Sequence, residues 1–565
     1  MPDPHASWFQ VAIGNVGTAS NESLTTIRDK ASQHEFSAAV RIGISKGASS
    51  AYFSTIVSAL KTLESAGVRI TCANEKPEAI NEAQIPWHFP LHLSVKELAS
   101  FFMLPIGDTA FAGAAGLHPK QILPPRWYEG SDDRAFATCG NVKLSISPKD
   151  ALEHTLIIGP TGSGKSTVMK NQIIADMKAG RGVLVIDPKA DLVNDIIACL
   201  PKEREDDLVI LDPTNPCPVG FNPFAFKDYG DPMLIADAIL SSFKEIFRDN
   251  WGIRSQDVLS AALLTLAQTE GASLLWLPTL LIDEDFRRKV TGGIRDKIGL
   301  EPYWEGFEDM KESGRRAEIA PVLNKIRQFL LRPGLRNVLG QSKPKFSLMD
   351  LFTKQKIVLV PLNKGTIGAE SARLLGSLIV GMTWTLALSR ANIPQSQRNM
   401  VSVYIDELQD YLALPTDLSD ALAQARGLGV ALTLAHQYRG QLPPEIRSGI
   451  DANARNKIVF GLNAEDAKAM AAMAPELDAV DFMSLPRYQI YASFNVDGRN
   501  TGWVSGKTLP PIAPTRDIVE LRAKSMAAYG KPAEETESEY LALLKLTRAV
   551  APTDEGFGSI GRRML

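Results

Sequence analysis

The chain has 565 residues, 45% of them apolar, which is enough for about three or four domain-sized units with true cores. A formal net charge of −3 excludes a molecule that attracts nucleic acid as a whole, so any such contact must come from a local patch. Cys72, Cys139, Cys199 and Cys217 lie far apart with no C-x-x-C, so neither a zinc site nor a disulfide framework is suggested, and reduced thiols in a cytosolic protein fit best.

The first residues, Met-Pro-Asp-Pro-His, lack the apolar core of a signal peptide. Residues 1–125 read as a small α+β module. Phe36 to Ser45 alternates like a strand, Tyr52 to Ala66 has helical spacing, and Val68 to Cys72 returns as a strand. Ser94-Val-Lys-Glu97 is a capping box opening a helix through Phe102. His34, His88, His92 and His118 are scattered without ligand spacing. Leu123-Pro-Pro-Arg126 and the acidic Glu129 to Asp133 mark a connection.

A second region, 126–230, opens with a strand from Asn141 to Ser147. An apolar run, His154 to Ile158, leads into Gly159-Pro160-Thr161-Gly162-Ser163-Gly164-Lys165-Ser166-Thr167. This fits G-x-x-x-x-G-K-[ST] without departure, with a strand before it and a helix after it. Gly162 and Gly164 let backbone N–H groups turn inward around phosphate oxygens at a helix start. Lys165 has the reach for the β- and γ-phosphates, and the Ser166 hydroxyl suits Mg²⁺. ATP and Mg²⁺ are the expected ligands. Further buried strands run from Gly182 to Asp187-Pro-Lys189 and from Leu208 to Leu211. Strands with polar carboxyl ends, alternating with helices, predict a parallel sheet with its site along one edge.

Residues 231–345 lose β-type alternation and read as an all-helical insertion. Lys311, Arg315, Arg316, Lys325, Arg327, Arg332 and Arg336 give it a basic bias, read either as a solvated helix face or as a surface toward DNA. In 346–508 the sheet resumes with Lys356 to Pro361. The uncharged run Leu374 to Ser389 is short and interrupted, and reads as a buried crossover helix, not as a membrane span. Met400 to Glu407 is a Walker B strand, with Asp406 placed to hold Mg²⁺ and Glu407 to orient or deprotonate water. A helix from Leu414 to Gly429 carries Arg426 at its end, expected at the sheet's carboxyl edge. There it would be an arginine finger for a neighbouring subunit or a partner of the helix dipole. The strand Val430 to Gln437 ends in an amide suited to sense the γ-phosphate or hold water. Core strands Lys457 to Leu462 and Tyr488 to Phe494 follow. Residues 509–565 read as a helix and a mobile tail.

Together, His154 before the P-loop, Asp187-Pro-Lys189, Ile405-Asp-Glu407, Arg426 and Leu434-Ala-His-Gln437 resemble the HerA/FtsK superfamily of ring-forming ATPases. The helical insertion and the run from Leu414 to Gln437 are similar to the conjugative coupling proteins of type IV secretion systems, the TraG/TraD group. The resemblance covers about residues 140 to 505. It implies an α/β, RecA-like P-loop NTPase with a parallel-rich sheet, an inserted all-α domain and a small N-terminal α+β domain. It further implies a homohexamer that uses ATP to move DNA through its pore, partnered by relaxosome or type IV secretion components. Coupling proteins typically begin with membrane-spanning helices. No integral membrane segment is read here, so the expected place is the cytoplasm, with recruitment to the inner face of the membrane left to a partner. Two other readings stay open: a HerA-like helicase motor in repair or phage defence, and a secretion motor that moves protein without touching DNA.

Overall fold

Stretches such as Gly182–Asp187 and Val401–Ile405 are apolar at nearly every position, and each of their residues is buried. That is the pattern of parallel strands covered on both faces. The computed structural model describes residues 21–44, 49–62, 64, 70–87, 89–101, 118–226, 231–411 and 418–549. It divides into two units, Met1–Gly116 and Leu117–Leu565.

In the first unit, β1 (Glu35–Ala38) pairs antiparallel with β2 (Leu91–Ser94). The expected strand from Phe36 is therefore cut short. Residues 70–72 form no strand, and 65–69 lie outside the described residues. Helices span Ser50–Lys61 and Val95–Phe101. The capping box is formed: Ser94 N–H donates to Glu97 at 2.8 Å and Glu97 N–H to the Ser94 hydroxyl at 3.4 Å. The boundary expected near 125 falls earlier because Lys120 and Ile122 bond into the second unit, at Asp481 and Ser505.

The second unit is built on one sheet of 11 strands. These are β3 (Ala135–Cys139), β4 (Val142–Ser145), β5 (Thr155–Ile158), β6 (Gly182–Asp187), β7 (Leu208–Ile210) and β8 (Ile357–Pro361). β9 (Val401–Ile405), β10 (Val430–His436), β11 (Asn456–Val459), β12 (Gln489–Val496) and β13 (Arg499–Thr508) complete it. The order is β4-β3-β13-β12-β11-β5-β10-β9-β6-β8-β7. From β11 to β7 the strands run parallel, and β12, β13, β3 and β4 extend the sheet antiparallel. Strands β3 and β13 are not among the strands expected from the sequence.

Side chains alternate across the sheet. Leu156, Leu184 and Ile186 enter one core, and Ile157, Val183 and Val185 enter the other with Val168, Ile173 and Met177 of the helix Lys165–Lys178. Between Pro232 and Leu339 every regular element is a helix. Their apolar faces, including Ile239, Leu263, Leu280, Trp304 and Leu323, join the first core, so the insertion shares its interior with the sheet. The helix Ala369–Ser389 is the one described segment long and apolar enough to cross a membrane, and 89% of its apolar window is buried inside the fold. Helices Ile518–Tyr529 and Ala533–Ala549 follow the sheet. The tail is thus docked as far as Tyr540: Arg522 pairs with Asp212 at 2.8 Å, Arg336 pairs with Glu537, and the Tyr540 and Thr279 hydroxyls bond at 2.6 Å. Residues 550–565 lie outside the described residues.

Candidate functional site

β5, buried at all four positions, delivers the chain to the glycine loop, and the helix Lys165–Lys178 starts directly after it. Gly162 and Gly164 take φ of 78° and 121°, where a side chain is strained. A Cβ at Gly164 would also stand 2.9 Å from the Tyr488 ring. A glycine loop ahead of the free N–H groups of a helix start makes an anion cradle. Lys165 is 7% exposed, and its ammonium donates to the loop's own carbonyls, Gly159 at 2.6 Å and Pro160 at 3.1 Å. Burial lowers its pKa, against the upward pull of Asp406 and Glu407. The Ser163 hydroxyl is buried with no hydrogen-bond partner. Thr161, Ser166 and Thr167 line a cavity of about 170 Å³ with Asp406 and Glu407.

The carboxylates arrive from β9. Leu434 of β10 is level with both Ile405 of β9 and Leu156 of β5, so Asp406 and Glu407 leave the sheet at the same edge as Gly159. Asp406 is 6% exposed, and its pKa is pushed up to about 6 by burial first, then by the charges of Glu407 and Asp187. Three carboxylates in this buried space carry a surplus of negative charge that suits a divalent cation. Glu407 has φ of 51°, a left-handed backbone that turns its side chain into the cleft. Burial raises its pKa, but hydrogen bonds from Gln409 and Gln437 and the charges of Lys189 and Lys165 outweigh this and hold it below the usual value. Gln437 donates to Oε1 at 2.5 Å and Gln409 to Oε2 at 2.9 Å, while the Lys189 ammonium stands 3.8 Å from Oε1. Asp187 accepts backbone N–H bonds from Lys189 and Val193 at 2.9 and 3.0 Å.

Lys165, Ser166, Asp406, Glu407 and Gln437 are therefore brought together. Gln409 and the ammonium of Lys189 were missed as holders of Glu407. The first stands two positions after Glu407, and the second ends a strand already noted. Arg487 and Tyr488 also line the cavity. They lie over 300 residues from the loop in sequence, and no local motif marks them.

Arg426 is not brought to this site. The helix Leu418–Ala425 runs into the amino end of β10, so Arg426 lies at the edge opposite the glycine loop, paired with Glu153 at 2.8 Å. β5 alone separates the two edges by roughly 10 Å. The expected carboxyl-edge position is corrected: a helix preceding a parallel strand must end where that strand begins. Residues 414–417 of the expected helix lie outside the described residues. His154 reinforces the arrangement, its ring bonding the Leu422 carbonyl at 2.7 Å and accepting Leu432 N–H at 3.2 Å.

The basic bias of the insertion is partly neutralised. Arg315 pairs with Glu308 at 2.8 Å, Arg316 with Glu312 at 2.5 Å, and Arg336 with Glu537. Lys325 and Arg332 donate to the carbonyls of Pro321 and Ile367. Three of the seven basic side chains therefore pair with carboxylates.

No curated protein matches the chain. Among solved structures, an unbound bacterial conjugative coupling protein, TrwB, is similar at 16% identity and TM-score 0.49, covering 69% of this chain and 92% of that one. The plasmid coupling protein TrwB in complex with the ATP analogue ADPNP gives 18%, TM-score 0.47 and coverage of 68% and 91%. VirB4 of Thermoanaerobacter pseudethanolicus gives 15%, TM-score 0.46 and coverage of 68% and 98%. The family described as the type IV secretion-system coupling protein DNA-binding domain matches residues 138–479, more than half of the chain. The RecA-like P-loop fold and this match make the chain a member of the type IV secretion-system coupling protein family, the TraG/TraD group.

Proposed function

We propose that the protein is an ATP-driven motor that translocates DNA in the manner of conjugative coupling proteins, working as a homohexamer. The observation that carries this reading is the convergence of Lys165, Asp406, Glu407 and Gln437 on one cavity at the carboxyl edge of the parallel sheet. Support for ATP and Mg²⁺ comes from the orphaned Ser163 hydroxyl, the self-satisfied Lys165 ammonium and the surplus carboxylate charge, and relatives of this fold have been seen with ADPNP and with ADP and Mg²⁺.

In this mechanism Lys165 exchanges the Gly159 and Pro160 carbonyls for the β- and γ-phosphates, keeping its ammonium satisfied throughout. The Ser166 hydroxyl and the Asp406 carboxylate would hold Mg²⁺, which supplies charge neutralisation across the phosphates when bound. Glu407, kept ionised by Gln409, Gln437 and Lys189, orients the attacking water and accepts its proton. Arg426 acts on the site of another copy. The domain plan follows: a module at 1–116, a RecA-like body at 117–230 and 346–508, an all-α insertion at 231–345 and a docked C-terminal pair of helices.

The test is direct. Lys165→Ala should lose ATP binding, and Glu407→Gln should bind ATP while its turnover falls by about 10²-fold or more. Wild-type turnover should rise with added DNA. A Glu407→Gln protein with normal turnover removes the water-activating assignment, and turnover indifferent to every DNA form favours a protein-moving motor.

A further inference from the structure

The glycine loop has two walls. The carboxylates stand on the β10 side. On the other, β11 side, Val459 is level with both Ile158 and Tyr491, so the chain enters β12 at the same edge as the loop. The residues at that entry are Arg487 and Tyr488. Arg487 Nε donates to the Gly162 carbonyl at 2.8 Å, and its guanidinium lies 4.7 Å from the centre of the Tyr488 ring. Tyr488 has φ of 68° and remains 36% exposed. For a bulky side chain this backbone is a true outlier, and two bonds hold it there: Tyr488 N–H to the Ser163 carbonyl at 3.2 Å and Thr508 N–H to the Tyr488 carbonyl at 2.9 Å. No packing need explains the strain, since the ring is not in the core. What the strain achieves is to place an aromatic face and a planar cation beside the loop.

We propose that the Arg487–Tyr488 pair is the platform on which the base of the nucleoside triphosphate packs. This rests on the nucleotide-site reading above. A triphosphate whose terminal phosphate faces Asp406 and Glu407 must lead its sugar and base away from them, toward the opposite wall. Planar stacking on a tyrosine ring and a guanidinium suits any base, because every base has a π-face. Among the described residues lining the cavity, that wall offers these two side chains, and their stacked arrangement presents planar faces. The platform is therefore blind to adenine against guanine.

The experiment compares Mg²⁺-ATP, Mg²⁺-GTP and Mg²⁺-tripolyphosphate binding to the full chain. The wild type should bind ATP and GTP within a few-fold of each other. Tyr488→Ala should weaken both by roughly five- to a hundredfold and leave tripolyphosphate unchanged, while Tyr488→Phe keeps all three. Tyr488→Gly, which relieves the left-handed backbone, should lose the nucleotides like Tyr488→Ala while melting no lower than the wild type, so a folding defect is separated from a binding one. Equal weakening of ATP and tripolyphosphate would show that Tyr488 only shapes the loop, and unchanged ATP affinity would remove it from the site. A preference above tenfold for either purine overturns the edge-blind platform. If the wild type binds neither ATP nor tripolyphosphate, the nucleotide-site reading itself falls and the platform with it.

Discussion

Arg426 is clasped by Glu153, the residue two positions ahead of β5, with Nη1 2.8 Å from Oε1 of a carboxylate that is 3% exposed. The same carboxylate accepts the Asn495 amide and stands 3.9 Å from Arg455, while its main-chain carbonyl accepts Arg455 N–H at 3.0 Å. The strand that leads into the glycine loop at one end thus fixes a pair of arginines at the other. One chain cannot bring Arg426 to its own phosphates without dismantling this edge, so any action of Arg426 on a phosphate requires a second copy of the chain.

That geometry makes a demand on mixed oligomers. Arg426→Ala should leave ATP binding nearly intact and lower turnover by about 10³-fold, the scale of a lost arginine finger. Mixing Arg426→Ala subunits, whose glycine loop is sound, with Lys165→Ala subunits, whose Arg426 is sound, regenerates some complete interfaces. Turnover above either parent is expected. An inactive mixture that native mass measurement shows to be mixed would leave the Glu153 pair as purely structural.

Gln437 is expected to act through Glu407. Its amide, with that of Gln409, helps hold the Glu407 pKa below the usual value against burial, so removing it lets that pKa rise. A glutamate accepts a proton only when ionised. Gln437→Ala should therefore shift the acid limb of kcat to higher pH, with a larger loss at pH 6 than at pH 8. A uniform loss with an unmoved limb would mean that Gln437 touches the substrate instead.

What the sequence made legible was contiguous. The glycine loop, the β9 run into Asp406-Glu407 and the β10 run into Gln437 each combine a buried strand with a polar end, and their register follows once they lie side by side in a parallel sheet. The wall of Arg487 and Tyr488 was not legible, because it meets the loop through an antiparallel extension whose register no local pattern encodes. The edge of Arg426 was misjudged for want of strand direction. The basic run of the insertion could be read two ways from sequence, because its acidic partners come from other turns and helices: Glu284 and Glu308 for Arg315, and Glu537 for Arg336.

Asp406 should store instability that its ligand relieves. Its pKa is raised to about 6 from 3.8, so the native state holds the proton more tightly than the unfolded chain. The penalty is absent below about pH 4, grows through the window to pH 6 and is complete above it. A rise of that size corresponds to about 3 kcal/mol. Asp406→Asn should raise the melting temperature of the nucleotide-free protein at pH 7.5 by several degrees, and the gain should roughly halve at pH 5. With Mg²⁺ and nucleotide added, the wild type should overtake the variant. No gain at pH 7.5 would show that Asp406 is already compensated.

The spacing between the phosphate-loop helix and the Asp406 strand is held by a buried ionic knot. Asp176, on the helix Lys165–Lys178, accepts bonds from Arg134, from Tyr404 of β9 at 2.6 Å and from Arg181 at 2.8 Å, and Arg134, Asp176 and Tyr404 are all at most 1% exposed. Burial raises the Asp176 pKa, but Arg134 outweighs this and lowers it, so its stabilisation is present at neutral pH and is lost as pH falls through the folded value. Truncating Asp176 would leave the Arg134 guanidinium without its counter-ion in a dry interior. Asp176→Ala should therefore cost about 3–5 kcal/mol, read as a lower urea midpoint. Removing both charges with apolar residues of similar bulk, Arg134→Met with Asp176→Leu, takes away the uncompensated cation as well as its partner. The double variant should be more stable than Asp176→Ala alone. If its cost equals the sum of the two single substitutions, the knot is not a coupled pair, and the spacing between Lys165 and Asp406 is set by the apolar packing around it.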